Sequence, residues 1–113
     1  MPINLNVVEE VKDDRVVLRL EGRLDASSSP VLEGKLQELI GNKFKILVDF
    51  SKVDYLSSAG MRLLLASTKK IKSTKGKLIF FSINDEVMEI IKMAGFERIL
   101  NICINEQEAQ NAA

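Results

Sequence analysis

KILVDFSKVDYLSSAGMRLLLA, residues Lys45–Ala66, contains the change of period on which the fold turns. KILVDF (Lys45–Phe50) is a nearly continuous apolar run, the pattern of a strand covered on both sheet faces. Beyond it, Met61, Leu64, Leu65, Thr68 and Ile71 recur at helical spacing, which predicts a helix from about Ser57 to Thr74 with Gly76 closing it. The junction is Ser57-Ser58-Ala59-Gly60. Ser57 is placed as N-cap, so Ser58 falls at the first helical position with its hydroxyl spare. Gly60 sits in the first turn, where glycine costs about 1 kcal/mol relative to alanine. Lacking a side chain, it would leave the backbone open to close approach by another molecule.

Working outward, Ile3–Glu10 reads as a weakly alternating strand. Arg15–Gly22 alternates clearly, with Val16, Leu18 and Leu20 on one face and KDD before it as a hairpin turn. A first helix is predicted with Ser29 as N-cap, Pro30 at the first helical position, a stripe of Leu32, Leu36, Leu39 and Ile40, and Gly41 at its end. Lys77–Ser82 reads as a second buried strand, Asn84–Gly95 as a capped helix, and RILNICI (Arg98–Ile104) as a last short strand. Asn105 and Glu108 stand at capping-box spacing before a C-terminal helix. The order β-β-α-β-α-β-α-β-α predicts one α/β domain over residues 1–113. Its sheet should be mixed and mainly parallel, joined by right-handed crossovers, with about four helices.

Composition narrows the chemistry. The 113 residues are 46% hydrophobic and 28% charged, with Lys+Arg and Asp+Glu at 16 each, so no global basic field favours nucleic acid. Histidine is absent and Cys103 is the single cysteine, so a His-based triad, an internal disulfide and a His/Cys zinc site are not expected. Cys103, within ILNICI, reads as a small buried hydrophobe. The N-terminus lacks signal-peptide character and no apolar run approaches spanning length, which predicts a cytoplasmic protein without a membrane partner.

Ligands in such sheets gather at the carboxyl ends of the strands. Two loops fit, EGRLDASSSP (Glu21–Pro30) and SKVDYLSSAG (Ser51–Gly60). Capping alone accounts for many of their hydroxyls, whereas a kinase substrate would use the spare one on Ser58. No obvious base stands beside it, so catalysis, a cofactor and a metal are not predicted. STKK (Ser67–Lys70) matches the S-x-x-K motif of penicillin-recognising enzymes, but their other motifs are missing. Lys69, Lys70, Lys72, Lys75 and Lys77 surround the end of the second helix and complement its dipole. The acids of EEVKDD read as solvated edge charges, and Met61, Met88 and Met93 as core or groove packing.

GRLD (Gly22–Asp25) and VDYLSSAGMRLLL (Val53–Leu65) together resemble the STAS domain, more narrowly the bacterial anti-sigma factor antagonists, over Leu5–Ala109. The resemblance implies a non-enzymatic partner switch. Unphosphorylated, such a protein binds an anti-sigma factor that is also a serine kinase, releasing a sigma factor. Phosphorylation dissolves the complex and a PP2C-type phosphatase resets it, with no direct contact to nucleic acid. Carried over by position, Ser58 is the acceptor and Asp25 faces the partner. Around them, Ser57, Ala59, Gly60 and Met61 complete the expected partner-binding surface. One common version of the motif has aspartate where Ser57 stands, so Ser57 is the competing acceptor. As an exposed loop charge, Asp25 is expected to carry little stability. Two other functions use the same loops: a STAS subunit binding a transporter ATPase or another signalling assembly, and a small-molecule or nucleotide-binding module.

Overall fold

The alternation of the second predicted strand is realised in an antiparallel hairpin. Strand β1 (Leu5–Lys12) pairs with β2 (Arg15–Leu24) around the turn at Asp13 and Asp14, where Asp13 takes φ 57°. The computed structural model describes residues 4–42 and 45–113, so Ile3, the predicted first strand residue, lies outside them. The remaining elements are α1 (Ser29–Ile40), β3 (Lys45–Leu56), α2 (Ser58–Lys72), β4 (Lys77–Phe81), α3 (Asp85–Met93), β5 (Ile102–Cys103) and α4 (Glu106–Ala112). Sheet order is β1-β2-β3-β4-β5, and every pairing after the first is parallel.

Stepping one strand at a time in one direction places α1, α2 and α3 on the same sheet face. There Val16, Leu18, Leu20, Ile46, Val48, Phe50, Leu78 and Phe80 pack against Leu32 and Leu36 of α1, Leu64 and Ile71 of α2, and Val87 and Ile91 of α3. The Phe50 and Phe80 rings meet edge-on at 5.8 Å. On the opposite face Leu47, Ile79 and Phe81 are covered by α4 through Ala109, with Val17 and Cys103 beside them. KILVDF is therefore sandwiched, as a continuous apolar run requires. Cys103 is half-buried, and burial pushes its thiol pKa up.

Several boundaries differ from expectation. Strands β2 and β3 run to Leu24 and Leu56, beyond Gly22 and Phe50, because pairing resumes after register shifts between Arg19 and Glu21 and between Gly22 and Arg23. These bulges break the alternation that marks a strand in sequence. Gly22 takes φ +123°, and a Cβ there would strike the Asn4 carbonyl. The N-cap of α1 is Ser28 rather than Ser29. Ser73, not Gly76, caps the end of α2. RILNICI contributes only two strand residues, Ile102 and Cys103. Met93 is 81% exposed rather than packed. The acids of EEVKDD are partly paired: Glu10 meets Arg19 at 2.7 Å, Asp14 meets Lys45 at 3.1 Å, and Glu9 meets Lys35 at 3.9 Å.

Candidate functional site

Because β2 and β3 are parallel and Leu24 is the register partner of Leu56, the loops that follow emerge side by side. A backbone bond joins them: the Ser57 N–H donates to the Leu24 carbonyl at 2.9 Å. The tertiary fold thus brings Asp25 and the start of α2 to one end of the sheet, as the resemblance required.

Asp25 is built into its own turn. Its Oδ1 accepts from Ser27 N–H at 3.0 Å, Ser27 Oγ at 2.9 Å and Ser28 N–H at 3.0 Å. Its backbone carbonyl receives the N–H and hydroxyl of Ser29, at 2.8 and 2.6 Å. Buried Ser28 donates its hydroxyl to the Arg23 carbonyl at 2.7 Å and accepts from the Asp25 N–H at 2.9 Å. Asp25 is therefore not a loop charge without structural weight, as the sequence reading held. These bonds, first that from the Ser27 hydroxyl and then that from the Ser28 N–H, hold its carboxyl below the usual aspartate pKa. Beside it the Arg23 guanidinium stands 4.3 Å above the Tyr55 ring and 3.8 Å from Asp25 Oδ2.

The two serines divide their work as expected. Ser57 is the N-cap of α2, with extended backbone and its Oγ accepting the Gly60 N–H at 3.2 Å. Ser58 opens the helix, is exposed, and its hydroxyl has no hydrogen-bond partner among the described residues. A helix start without acidic residues surrounds it, so its positive dipole end is unopposed locally.

Gly60 overturns its expected role. It is buried, and a Cβ built on it would lie 2.8 Å from the Leu24 carbonyl oxygen and 2.8 Å from Leu56 Cδ1. Glycine is required for helix α2 to pack against the end of β2, not to admit a partner. Met61 is also turned inward, 5% exposed, and Ala59 is half-buried. Of the expected surface, Ser58 is the exposed member, with Asp25, Ser57 and Ala59 partly so.

A groove of about 300 Å³ adjoins Ser57 and Ser58 between α2 and the end of α3. Met61, Leu65, Ile90, Ala94 and Phe96 form its apolar lining, and Arg62 contributes its charged side chain. Sequence reasoning missed this feature. Arg62 was recoverable from its spacing to Ser58, whereas Ile90, Ala94 and Phe96 come from a part of the chain that only the fold brings near.

Comparison with known proteins agrees with this fold. The STAS domain family matches residues 4–109, and the chain belongs to that family. It is similar to BtrV of Bordetella bronchiseptica, at 28% identity over 89% of this chain and 87% of that protein. It is also similar to the anti-sigma-B factor antagonist of Bacillus subtilis, at 23% identity over 88% and 92% of the two chains. Among solved structures, the anti-sigma factor antagonist SpoIIAA in its unphosphorylated form superposes with TM-score 0.78 at 21% identity, covering 95% of both chains. The Bacillus SpoIIAA in its phosphorylated form gives 0.71 at 19% identity, covering 96% of this chain and all of that one, 100%.

Proposed function

We propose that this protein is an anti-sigma factor antagonist switched by phosphorylation of Ser58. The observation that carries the reading is the free, exposed hydroxyl at the first residue of α2, beside a serine whose own oxygen is committed to capping. The names of the relatives, and the two phosphorylation forms in which SpoIIAA was solved, support it. Unmodified, the end of the sheet around Ser58 and Asp25 binds an anti-sigma factor with serine-kinase activity. In the modification step Ser58 Oγ bonds to the γ-phosphorus of ATP as the bond to the β,γ-bridging oxygen breaks. ADP leaves, and the hydroxyl proton passes to a base on the kinase. A PP2C-type phosphatase then uses water to release inorganic phosphate and restore the hydroxyl. The protein itself supplies no catalytic group, and the exchange takes place in the cytoplasm without direct contact to nucleic acid.

Electrostatics makes such a switch effective. A phosphate carries about −1.5 to −2 charges. Against a partner carboxylate about 5 Å away, an effective dielectric of about 20 gives roughly 3 kcal/mol of repulsion per unit charge, more than a hundredfold in affinity. The test is incubation with ATP and serine kinases of the anti-sigma type, the phosphate being mapped by mass spectrometry. Ser58→Ala should abolish modification yet retain kinase binding. Full modification of that variant, with phosphate on Ser57, would overturn the acceptor assignment.

A further inference from the structure

Arg62 lies four residues beyond Ser58 in α2, and side chains so spaced are neighbours, with Cβ atoms about 5–6 Å apart. Both residues are exposed and both line the groove beside α3. Arg62 takes part in no ion pair or side-chain hydrogen bond among the described residues, and α2 (SAGMRLLLASTKKIK) contains no acid to occupy it. The other cations of α2, Lys69, Lys70 and Lys72, are all in its last turn. Ser57 has no equivalent arrangement. Four residues beyond it is Met61, which is 5% exposed, and its oxygen already accepts from Gly60.

Resting on Ser58 as the phosphoacceptor, we propose that Arg62 senses that phosphate and clamps it, carrying its side chain along the mouth of the apolar groove. An anion one turn N-terminal to a cation is the favourable order on a helix. A guanidinium fork matches phosphate oxygens bidentately, as an ammonium does not. Modification then changes the surface in two ways. It adds an anion, and it withdraws the free cation from the edge of the groove. Phosphate on Ser57 would add the anion but, with Met61 four residues on, would have no cation at the matching position.

The experiment installs phosphoserine at position 58 by genetic encoding in the full chain, without any kinase. Three forms are made: wild type, Arg62→Lys and Arg62→Gln. The phosphorus resonance is followed against pH at low salt. Free phosphoserine has a second pKa of about 6. The helix dipole acts on all three forms, so their differences isolate residue 62. The expected result is a pKa in wild type about 0.2–0.4 unit below that of Arg62→Gln, with Arg62→Lys between them. Coincidence of wild type with the Gln form would overturn the clamp, and coincidence with the Lys form would overturn its bidentate geometry. Because no kinase is used, this titration and the kinase assay fail independently.

Discussion

Gly60 is pinned between two neighbours of unequal give. Leu56 Cδ1 is the end of a flexible side chain, but the Leu24 carbonyl is backbone held by the Ser57 N–H. Gly60→Ala is therefore expected to destabilise, by about 1–3 kcal/mol as overpacking does, rather than gain the increment that an open helical glycine gives on becoming alanine. Urea denaturation checks the sign. An increase in midpoint would show the packing to be looser than the geometry implies. Asp25 has a comparable internal role. Its folded pKa is depressed, so its contribution is full above the unfolded aspartate value of about 3.9 and is lost as pH falls through the lower folded value. Thermal melts from pH 7 to pH 2 should show Asp25→Asn less stable than wild type at neutral pH, with the gap narrowing at the acid end. A constant gap would remove the carboxylate bonds as the cause.

At the scale of elements, α4 is the shortest described helix. It is seven residues long and covers its sheet face through Ala109. Lys77 Nζ donates to its Ala112 carbonyl at 3.1 Å. Its first residue is held by Arg19, whose guanidinium reaches Glu106 at 3.0 Å, Asp49 at 2.9 Å and Glu10 at 2.7 Å. These carboxylates, Glu106 foremost, hold the Arg19 pKa well above the ordinary arginine value. The side chain is one-third exposed, 33%, so solvent screens part of the gain. Asp49, 12% exposed, is the partner that would suffer most from losing it. Arg19→Met should cost about 1–2 kcal/mol, between exposed and buried ion pairs. Hydrogen exchange should show the amides of α4 losing protection before those of α1 or α2. Uniform loss across the fold would mean that α4 is not a separate unit.

At the scale of the whole molecule, the described residues give the sheet a layer of three helices on one face and a single short helix on the other. Both faces are nonetheless dry at the centre, with Leu47 and Val48 each at 0% exposure. Leu47→Ala should cost about 2–5 kcal/mol, as for any full-core leucine, although only α4 stands over it. A cost under about 1 kcal/mol, within the range of surface changes, would mean that α4 does not exclude water. Phosphate at Ser58 should have the opposite character. At an exposed helix start it gains about 0.3–1 kcal/mol from the dipole, so the melting temperature of the phosphoserine form should equal or slightly exceed that of the unmodified protein. A clear fall would mean that the switch works by loosening the fold rather than by changing its surface.

The sequence by itself determined the elements, their order and the division of labour between the serines. Those properties are local: apolar period separates strand from helix, and Ser57 caps because its oxygen can reach an N–H three residues on. It also determined that KILVDF would be covered twice, since a continuous apolar run cannot face water. The resemblance in GRLD and SSAG pointed to two loops that the fold sets side by side. What only the tertiary structure decided were the properties that depend on distant neighbours. The full length of β2 and β3 depended on pairing that resumes past two bulges. Gly60 looked like a surface feature because it faces a carbonyl more than thirty residues away in the chain. The bonds of Asp25, by contrast, are local, to Ser27, Ser28 and Ser29, and belong to a side-chain turn that the run DASSS could have signalled. The groove beside Ser58 likewise exists only where α3 comes to lie against α2. Period and capping act within a few residues, whereas steric fit is a property of surfaces that meet only after folding.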